Sequence, residues 1–259
     1  MPQDQSDNRN PLNVDRVESI DSTGLEARRR IDAGLDSPLA IVAARQTGGV
    51  GRLGRRWVSP LGGLWLSLAW PTDSLDPLLG LRTGVIVVDA IECLVGRDHD
   101  VRVKWPNDVL LDGRKLAGVL VENIVGPTRR WTIVGVGINA NIELDQLPES
   151  VRPHATTIRD ACGREIDLAR LEAHVLERLS TLLGERRSST DEIRAVRDRL
   201  WGIGQEVIVT TPNGVQRACV VNDVSEAGAL IVTDCDASWP VPTGAQVVYP
   251  QRDPSPFAV

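Results

Sequence analysis

The sequence offers little to metal or thiol chemistry, and it has few aromatic residues other than tryptophan. Its 259 residues include one Met, one Tyr, one Phe, three His and seven Trp. The cysteines are scattered, with no C-x-x-C pair and no histidine nearby at ligand spacing: Cys93, Cys162, Cys219 and Cys235. We therefore predict reduced thiols, no metal cage, no Cys–His nucleophile pair, and a core built mainly of Val, Leu, Ile and Ala.

Long apolar runs and excess positive charge are also missing. No run approaches the ~18 apolar residues of a membrane span, and the most apolar helical stretch contains Arg82, Asp89 and Glu92. The polar N-terminus does not resemble a secretory signal, so we expect a cytoplasmic protein that does not bind membranes. The net charge of −6 argues against a general nucleic-acid binder. A local basic loop in an acidic chain instead favours a small anionic ligand.

The pattern along the chain predicts a disordered tail at residues 1–12, a large domain at 13–203 and a small domain at 204–259. The tail is polar and has no periodicity. In the large part, strands joined by short turns predominate and helices come as separate blocks, which favours an α+β fold over a doubly wound parallel sheet. The short strands and Asn-Gly, Gly and Pro turns near the C-terminus predict a small β-barrel.

Capping and turn signals place the individual elements. We predict a helix from Ser22-Thr23 to Gly34, with Thr23 as cap and Glu26 reaching back to it; such a helix start can also bind a polar or anionic ligand. Asp112-Gly113 predicts a tight primed turn in a hairpin. The other predicted helices cover residues 75–95, 168–183 and 192–200, and the predicted strands cover 39–44, 64–70, 101–104, 109–111, 116–121, 131–138, 207–210, 217–224, 229–233 and 246–249.

The run R-Q-T-G-G-V-G-R-L-G-R-R-W, residues 45–57, is a glycine-rich loop loaded with arginine. Its glycines allow successive N–H groups to face one point as an anion nest, and Arg52, Arg55 and Arg56 add permanent charge. Two anions 4 Å apart repel by about 4 kcal/mol at an effective dielectric of ~20, so cations are needed before a carboxylate can attack a phosphate. A solvated surface loop is the alternative interpretation.

A second run, V-K-W-P-N-D-V-L-L-D-G-R-K-L-A-G-V-L-V-E, carries both lysines of the chain. Lys104 lies at a predicted strand end, and Lys115 starts the strand after the Asp-Gly turn. Asn107 and Asp108 offer contacts to a ribose or to Mg²⁺. The two runs together indicate a site that gathers negatively charged small molecules, whereas a charged hairpin with two exposed lysines is the alternative.

Glycines inside predicted strands indicate a close approach of something else to the backbone, or a bulge. Gly118 leaves room for a ligand to lie against its strand. Gly135 and Gly137 occupy the next strand, and Asn139 at its end offers a metal or phosphate contact. A structural bulge alone is the competing explanation for these glycines.

These motifs together resemble the biotin–protein ligases, also called holocarboxylase synthetases. D-S-T at residues 21–23, the glycine-arginine loop, K-W-P-N-D and R-K-L-A-G-V-L-V-E carry the resemblance, which extends to the C-terminal barrel. Val50 stands where the family usually has Arg, and Gly24 where it has Asn. The resemblance implies a core like that of class II aminoacyl-tRNA synthetases, with a mixed, largely antiparallel sheet, and a small SH3-like C-terminal domain.

The resemblance also implies a two-step reaction. The carboxylate of biotin attacks the α-phosphate of Mg·ATP and gives biotinyl-5′-AMP and pyrophosphate. A lysine of a biotin carboxyl carrier protein, such as that of acetyl-CoA carboxylase, then attacks the acyl carbon and releases AMP. Biotin, ATP and Mg²⁺ are thus the implied substrates and cofactor. The resemblance implies that the metal arrives with ATP rather than at a fixed protein site, and we expect it near Asp108 and Asn139.

Carried over by position, the family's roles fall on named residues of this chain. Lys115 is the main expected catalytic residue, assisted by Arg52. The residues expected to bind biotin are Ser22, Thr23, Gly24, Gln46, Val50, Gly51, Arg52, Lys115 and Gly118. The residues expected to bind ATP or the adenylate are Arg52, Arg55, Lys104, Trp105, Asn107, Asp108, Lys115 and Asn139.

Two other functions compete with a biotin ligase. A lipoate or octanoate ligase or transferase has a related fold, but the arginine-rich loop and K-W-P-N-D favour biotin. A nucleotide- or nucleic-acid-binding module built on the barrel is disfavoured by the acidic charge and by the lack of a strand face that combines aromatic and basic residues. About 20 residues precede Ser22, too few for a winged helix, so we expect no DNA binding. We expect a monomer or weak homodimer.

Overall fold

The computed structural model describes residues 12–96, 98–184 and 190–250; residues 1–11 of the predicted tail lie outside this part. The helices are α1 (Thr23–Asp32), α2 (Leu79–Val95), α3 (Ile158–Cys162), α4 (Leu168–Gly184) and α5 (Thr190–Arg199). The strands are β1 (Asn13–Ile20), β2 (Leu39–Gln46), β3 (Leu64–Pro71), β4 (Val101–Lys104), β5 (Asp108–Leu111), β6 (Arg114–Val125), β7 (Arg130–Ile138), β8 (Glu206–Thr210), β9 (Gln216–Val224), β10 (Leu230–Thr233), β11 (Ser238–Pro240) and β12 (Gln246–Val248). Every described helix is too short or too polar to reach across a bilayer.

The strands form two sheets, and the predicted α+β class is confirmed. Seven strands pair in the order β1-β2-β3-β7-β6-β5-β4, in which β1 and β2 are parallel and the other neighbours are antiparallel. The second sheet has the order β11-β10-β9-β8-β12 and is antiparallel throughout, as the predicted C-terminal β-domain requires.

Helices cover the seven-stranded sheet on both faces. On one face α2 packs against β4 and β6, and α4 packs against α2 and β3; Leu66 and Leu68 of β3 belong to the same core cluster. On the other face α1 packs Ala27 and Ile31 against the strand residues Ile41, Ala69, Trp131 and Ile133. Since α1 is only 10 residues long, it covers only part of this face. Next to its N-terminus the face carries small residues, and the site described below forms there.

The hairpin of β5 and β6 turns as its sequence predicts. Asp112 and Gly113 both have positive φ, 51° and 79°, which is the pattern of a primed turn that matches the strand twist. Pairing between the strands shifts register between Val109 and Leu110. The hairpin places Asp108 and Lys115, which flank its turn, on the same part of the sheet.

The second sheet packs directly against the loop between β4 and β5. The indole Nε1 of Trp105 donates to the carbonyl of Gly228 over 2.9 Å, and Lys104 Nζ lies 5.2 Å from the ring centre of Tyr249. Gly228 has φ +73°, and a Cβ there would come within 2.5 Å of the Pro77 carbonyl oxygen. Glycine at residue 228 therefore allows the two parts of the chain to meet closely.

Some predictions about the elements were wrong. Ser22, not Thr23, caps α1: its Oγ accepts the Leu25 N–H. Glu26 does not reach back, because its carboxylate binds two arginines further along the helix. The helix α2 begins at Leu79 rather than at residue 75, since the Asp76 carboxylate organises a turn there. The strands β1 and β11 and the helix α3 were not predicted.

Candidate functional site

A cavity of about 830 Å³ lies between the glycine-rich face of the large sheet and the second sheet. It is the point at which the separate sequence motifs meet. The predicted site residues that line it are Ser22, Thr23, Gly24, Gln46, Val50, Gly51, Arg52, Arg55, Lys104, Trp105, Asn107, Asp108, Lys115, Gly118 and Asn139. The structure thus brings all of them to one cavity, and their individual roles stay predictions.

A chain of buried polar side chains forms one end of the cavity. Thr23 Oγ1 lies 2.8 Å from Ser67 Oγ, and the backbone N–H of Thr23 donates to Gln46 Oε1 over 2.8 Å. Gln46 Nε2 donates in turn to Ser59 Oγ over 2.8 Å. Thr23, Ser59 and Ser67 are each no more than 3% exposed. Because these partners fix the hydroxyl and amide groups, this end suits an uncharged polar ring that offers both donors and acceptors.

The indole ring of Trp57 forms the floor beside this polar end, and the sequence analysis missed it. A Cβ on Gly137 would lie 2.6 Å from Trp57 Nε1, and one on Gly118 would lie 3.1 Å from Trp57 Cζ3. These two glycines are paired across β6 and β7. The glycines indicated a close approach, but they did not indicate which residue approaches. Trp57 Nε1 is buried and has no hydrogen-bond partner among the described residues.

Lys115 is held at the other side of the same floor. Its Nζ lies 2.8 Å from Asp108 Oδ1 and 5.1 Å from the ring centre of Trp57. Both charged side chains are about a quarter exposed, 23% for Lys115 and 25% for Asp108. The ammonium group is therefore fixed by a carboxylate and an aromatic face while it remains accessible from the cavity.

The arginine-rich loop contacts the K-W-P-N-D segment. Arg52 Nη1 donates to Asn107 Oδ1 over 3.1 Å, and Asn107 Nδ2 donates to the Val119 carbonyl over 2.7 Å. Asn107 thus connects the loop to β6. At the loop tip Leu53 is 85% exposed and has φ 58°. Arg52 lies at the cavity mouth, where movement of an exposed loop would bring it toward a ligand or away from one.

The predicted nest of successive glycine amides is not formed in this structure. The N–H of Gly48 donates to the Asp21 carbonyl over 2.8 Å, and that of Gly51 donates to the Arg55 carbonyl over 2.7 Å. Gly49 has a different role, since a Cβ there would lie 2.5 Å from the Trp57 carbonyl oxygen. The loop folds back on itself, and its glycines permit that close return rather than a convergence of amides.

Three of the residues predicted to bind nucleotide have clear structural contacts. Lys104 points to the rings of Trp201 and Tyr249, 5.4 and 5.2 Å from its Nζ. Trp105 holds the second sheet through its indole nitrogen. Asn139 is only 5% exposed, and its amide nitrogen donates to the Thr156 carbonyl over 3.2 Å. These side chains shape the cavity wall, whatever further contact a ligand makes with them.

The second sheet contributes a part of the cavity that sequence reasoning did not assign. Its turns and the strand β12 supply the lining residues Ala227, Gly228, Ala229, Val241, Thr243, Gly244, Ala245, Gln246, Val247 and Val248. No motif marks these residues, and the contact depends on the packing of two parts distant in sequence. The complete site thus has a neutral polar end, an aromatic floor, a paired lysine, an arginine at its mouth and a mainly apolar far wall.

Comparison with known proteins places the chain in a family. Residues 17–139 match the Biotin/lipoate A/B protein ligase family. The chain is 37% identical over 162 residues to the bifunctional ligase/repressor BirA of Bacillus spizizenii, which covers 61% of this chain and 49% of that protein. It is 30% identical over 225 residues to the biotin–[acetyl-CoA-carboxylase] ligase of Mycobacterium tuberculosis. This match covers 84% of this chain and 82% of that protein. The chain spans about half the length of the Bacillus relative.

Solved structures show the same relationship over a larger share of the chain. The biotin protein ligase of Aquifex aeolicus in complex with biotin and ATP superposes with a TM-score of 0.78 at 28% identity, covering 92% of this chain and 99% of that one. The biotin protein ligase of Leishmania major with biotinyl-5-AMP gives a TM-score of 0.61 at 22% identity, a likeness of fold alone. From the sequence match and the common fold, the chain belongs to the biotin/lipoate A/B protein ligase family.

Proposed function

We propose that this protein is an ATP-dependent biotin ligase, which forms biotinyl-5′-AMP and transfers the biotinyl group to a lysine of a biotin carboxyl carrier protein. The observation that carries the proposal is that one cavity is lined both by the hydrogen-bonded polar residues Thr23, Gln46 and Ser67 and by the Lys115–Asp108 pair. A neutral ring and an anionic reaction centre are thereby accommodated a short distance apart. The names of the Mycobacterium and Aquifex relatives agree with this chemistry.

The polar end accounts for recognition of the biotin ring. A ureido group offers one carbonyl oxygen and two N–H donors, which match hydroxyl, amide and backbone groups that are already positioned. Thr23 and Gln46 are fixed by each other and by Ser67 and Ser59. Because their partners hold them before binding, little conformational entropy is lost when the ring enters. Trp57 supplies the apolar surface for the rest of the bicyclic ring.

Lys115 accounts for the first chemical step. The carboxylate of biotin must approach the α-phosphate of ATP, and these two anions repel each other. A fixed ammonium group between them lowers that repulsion and stabilises the charge that develops on the phosphate oxygens. Asp108, 2.8 Å from Lys115 Nζ, keeps the ammonium in place before the substrates arrive. The role is electrostatic, so Lys115 need not transfer a proton.

The nucleotide would occupy the side of the cavity formed by the K-W-P-N-D segment and the second sheet. Asp108 and Asn139 present oxygen atoms, the ligand type that Mg²⁺ prefers, so the residues present fit a metal that is bound mainly by ATP phosphates. When bound, Mg²⁺ would neutralise part of the triphosphate charge. Arg52 at the cavity mouth would then hold the adenylate and keep water from it, since a mixed anhydride hydrolyses readily.

The second step needs an acceptor lysine, which we propose is supplied by the carrier domain of a biotin-dependent carboxylase. We propose that the carrier docks beside the tip of the arginine loop, where Leu53 is 85% exposed. We place the reaction in the cytoplasm because it consumes ATP. We propose that the protein is a monomer or a weak homodimer. Static light scattering across a concentration series would distinguish these two states from a stable dimer.

Exchange of labelled pyrophosphate into ATP tests the first step directly. The purified protein should catalyse this exchange only when biotin is present. Lipoate and octanoate, tested under identical conditions, should give no exchange above background. Exchange with lipoate and none with biotin would overturn the proposal in favour of the lipoate branch of the family.

A matched pair of variants tests the role of Lys115. Lys115→Ala should reduce biotin-dependent exchange by on the order of 100-fold or more, because it removes a fixed charge at the reaction centre. The neighbouring Arg114→Ala is the control, since Arg114 is 43% exposed and lies 3.6 Å from Asp160. Equal activity of the two variants would contradict the electrostatic role given to Lys115.

A further inference from the structure

A cysteine, a histidine and an aspartate that are far apart in the sequence meet outside the cavity. Cys162 Sγ lies 3.7 Å from His99 Nε2, and His99 Nδ1 lies 2.9 Å from Asp112 Oδ2. Cys162 ends α3, His99 precedes β4, and Asp112 is in the β5–β6 turn. From the sequence we predicted no Cys–His nucleophile pair, and the sequence spacing could not indicate this contact because the three residues come together only through the fold.

The hydrogen bonds fix which nitrogen of the imidazole ring is free to accept a proton. Burial opposes ionisation of Asp112, but hydrogen bonds from His99 and from the backbone N–H of Asp100 outweigh it and keep the pKa of Asp112 below its ordinary value. An ionised carboxylate can only accept a hydrogen bond, so His99 Nδ1 carries a proton. In the neutral ring Nε2 then has a lone pair, and that atom faces the Cys162 thiol.

Cys162 is intermediate in exposure among the four thiols and packs against the edge of the core. It is partly buried, whereas Cys93 and Cys235 are exposed. Burial raises the pKa of the Cys162 thiol, so the sulfur keeps its proton at neutral pH until a base removes it. Among the described residues, no hydrogen bond or ion pair to the side chain of Cys93 is found. Cys93 is therefore an internal reference without a base.

We propose that Cys162, His99 and Asp112 form a thiol-modification site that reacts with low-molecular-weight disulfides. The Cys162 thiol gives its proton to His99 Nε2 while its sulfur attacks one sulfur of the disulfide. The S–S bond breaks, a mixed disulfide forms on Cys162, and the other half leaves as a thiolate. That thiolate then takes the proton from His99. Asp112 orients the ring and stabilises the imidazolium that forms.

The site is independent of the proposed ligase chemistry. None of its three side chains lines the cavity, and it needs neither biotin nor ATP. Its failure would leave the proposed function untouched, and the reverse also holds. Reaction here nevertheless places an adduct against the turn of the hairpin that carries Lys115 and Asp108.

The test compares two thiols within one chain. The intact protein is treated with hydroxyethyl disulfide at neutral pH, and peptide mass spectrometry follows modification of Cys162 and Cys93 over time. Cys162 should react at least about tenfold faster than Cys93 despite its lower exposure, as expected for assistance by a positioned base. Equal rates, or a slower reaction at Cys162, would overturn the proposal without any need for a variant.

Variants then separate the base from simple accessibility. His99→Gln should slow the reaction of Cys162 at least about tenfold and leave Cys93 unchanged. Asp112→Asn keeps a residue type that tolerates positive φ but removes the carboxylate that fixes the tautomer and stabilises the imidazolium, so the Cys162 reaction should also slow while that of Cys93 stays unchanged. An unchanged Cys162 rate in a folded His99→Gln protein, checked by thermal unfolding, would contradict the role of the imidazole.

Discussion

Replacing Gly137 by alanine tests whether the Trp57 floor is essential to the site. A Cβ on Gly137 would lie 2.6 Å from Trp57 Nε1 and 2.9 Å from Cε2, distances that no packed methyl group tolerates. The indole must then move away from β7. Below it lies the sheet, so the direction open to the ring is into the cavity. The displaced indole ring would then occupy space that the ligand needs.

The expected magnitude follows from the cost of overpacking. An extra methyl group forced into a well-packed site typically costs about 1–3 kcal/mol. If the ring moves into the cavity, a ligand must push it back, and binding loses a comparable amount. This corresponds to roughly 5- to 150-fold weaker binding of biotin. The free energy of unfolding should fall by less than this, because a ring that moves into open space relieves part of the strain.

Gly135→Ala provides a closely matched control. Gly135 lies two residues earlier on the same strand and also lines the cavity, but its Cβ would meet nothing nearer than Ser67 Oγ at 3.5 Å. That is an ordinary contact distance. Alanine at residue 135 should leave biotin binding within about threefold of wild type and should leave stability unchanged or slightly raised, since glycine weakens a strand.

Titration calorimetry with biotin and denaturant unfolding of both variants provide the readouts. The reasoning would be refuted if Gly137→Ala bound biotin as tightly as Gly135→Ala while both proteins remained folded. Equally weakened biotin binding in both variants would also contradict it. The loss would then come from any side chain added to β7, and not from displacement of Trp57.

Three further predictions concern Arg52, Trp105 and Asp21. Arg52→Gly should release biotinyl-5′-AMP into solution faster than wild type, as chromatography of the quenched reaction would show; unchanged release would exclude a retaining role. Trp105→Phe removes the hydrogen bond to Gly228 and should lower the free energy of unfolding by about 1 kcal/mol in urea. The hydrogen bonds from Arg29, opposed by burial, lower the pKa of Asp21 to about 2; the stabilisation is complete above about pH 4 and lost toward pH 2. Asp21→Asn should therefore be less stable than wild type at pH 7 and should become equal to it only as the pH falls below about 2.

The sequence was sufficient for features that depend on local chemistry. The Asp112-Gly113 turn was predictable because few residue pairs accept two positive φ angles. The predicted site residues were found around one cavity because their motifs lie at strand ends and in loops that a mixed sheet brings together. The core strands were predictable from apolar runs that are buried on both faces.

Other features depend on contacts between distant residues and had no local signal. The parallel edge strand β1 reads N-V-D-R-V-E-S-I, and its mostly polar residues resemble the tail that precedes it. Trp57 occupies its place because Gly118 and Gly137, far along the chain, leave space for it. The choice of Ser22 over Thr23 as cap depends on Thr23 being held by Gln46 and Ser67, which the helix sequence alone does not reveal.

We propose that this cavity joins biotin to a nucleotide and then transfers the biotinyl group to a protein lysine. The most direct measurement is intact-mass analysis of an apo carrier domain incubated with the purified protein, biotin and Mg·ATP. The account predicts the addition of one biotinyl group to a single lysine, dependent on both biotin and ATP. An unmodified carrier, together with no biotinyl-5′-AMP in the same reaction, would contradict it.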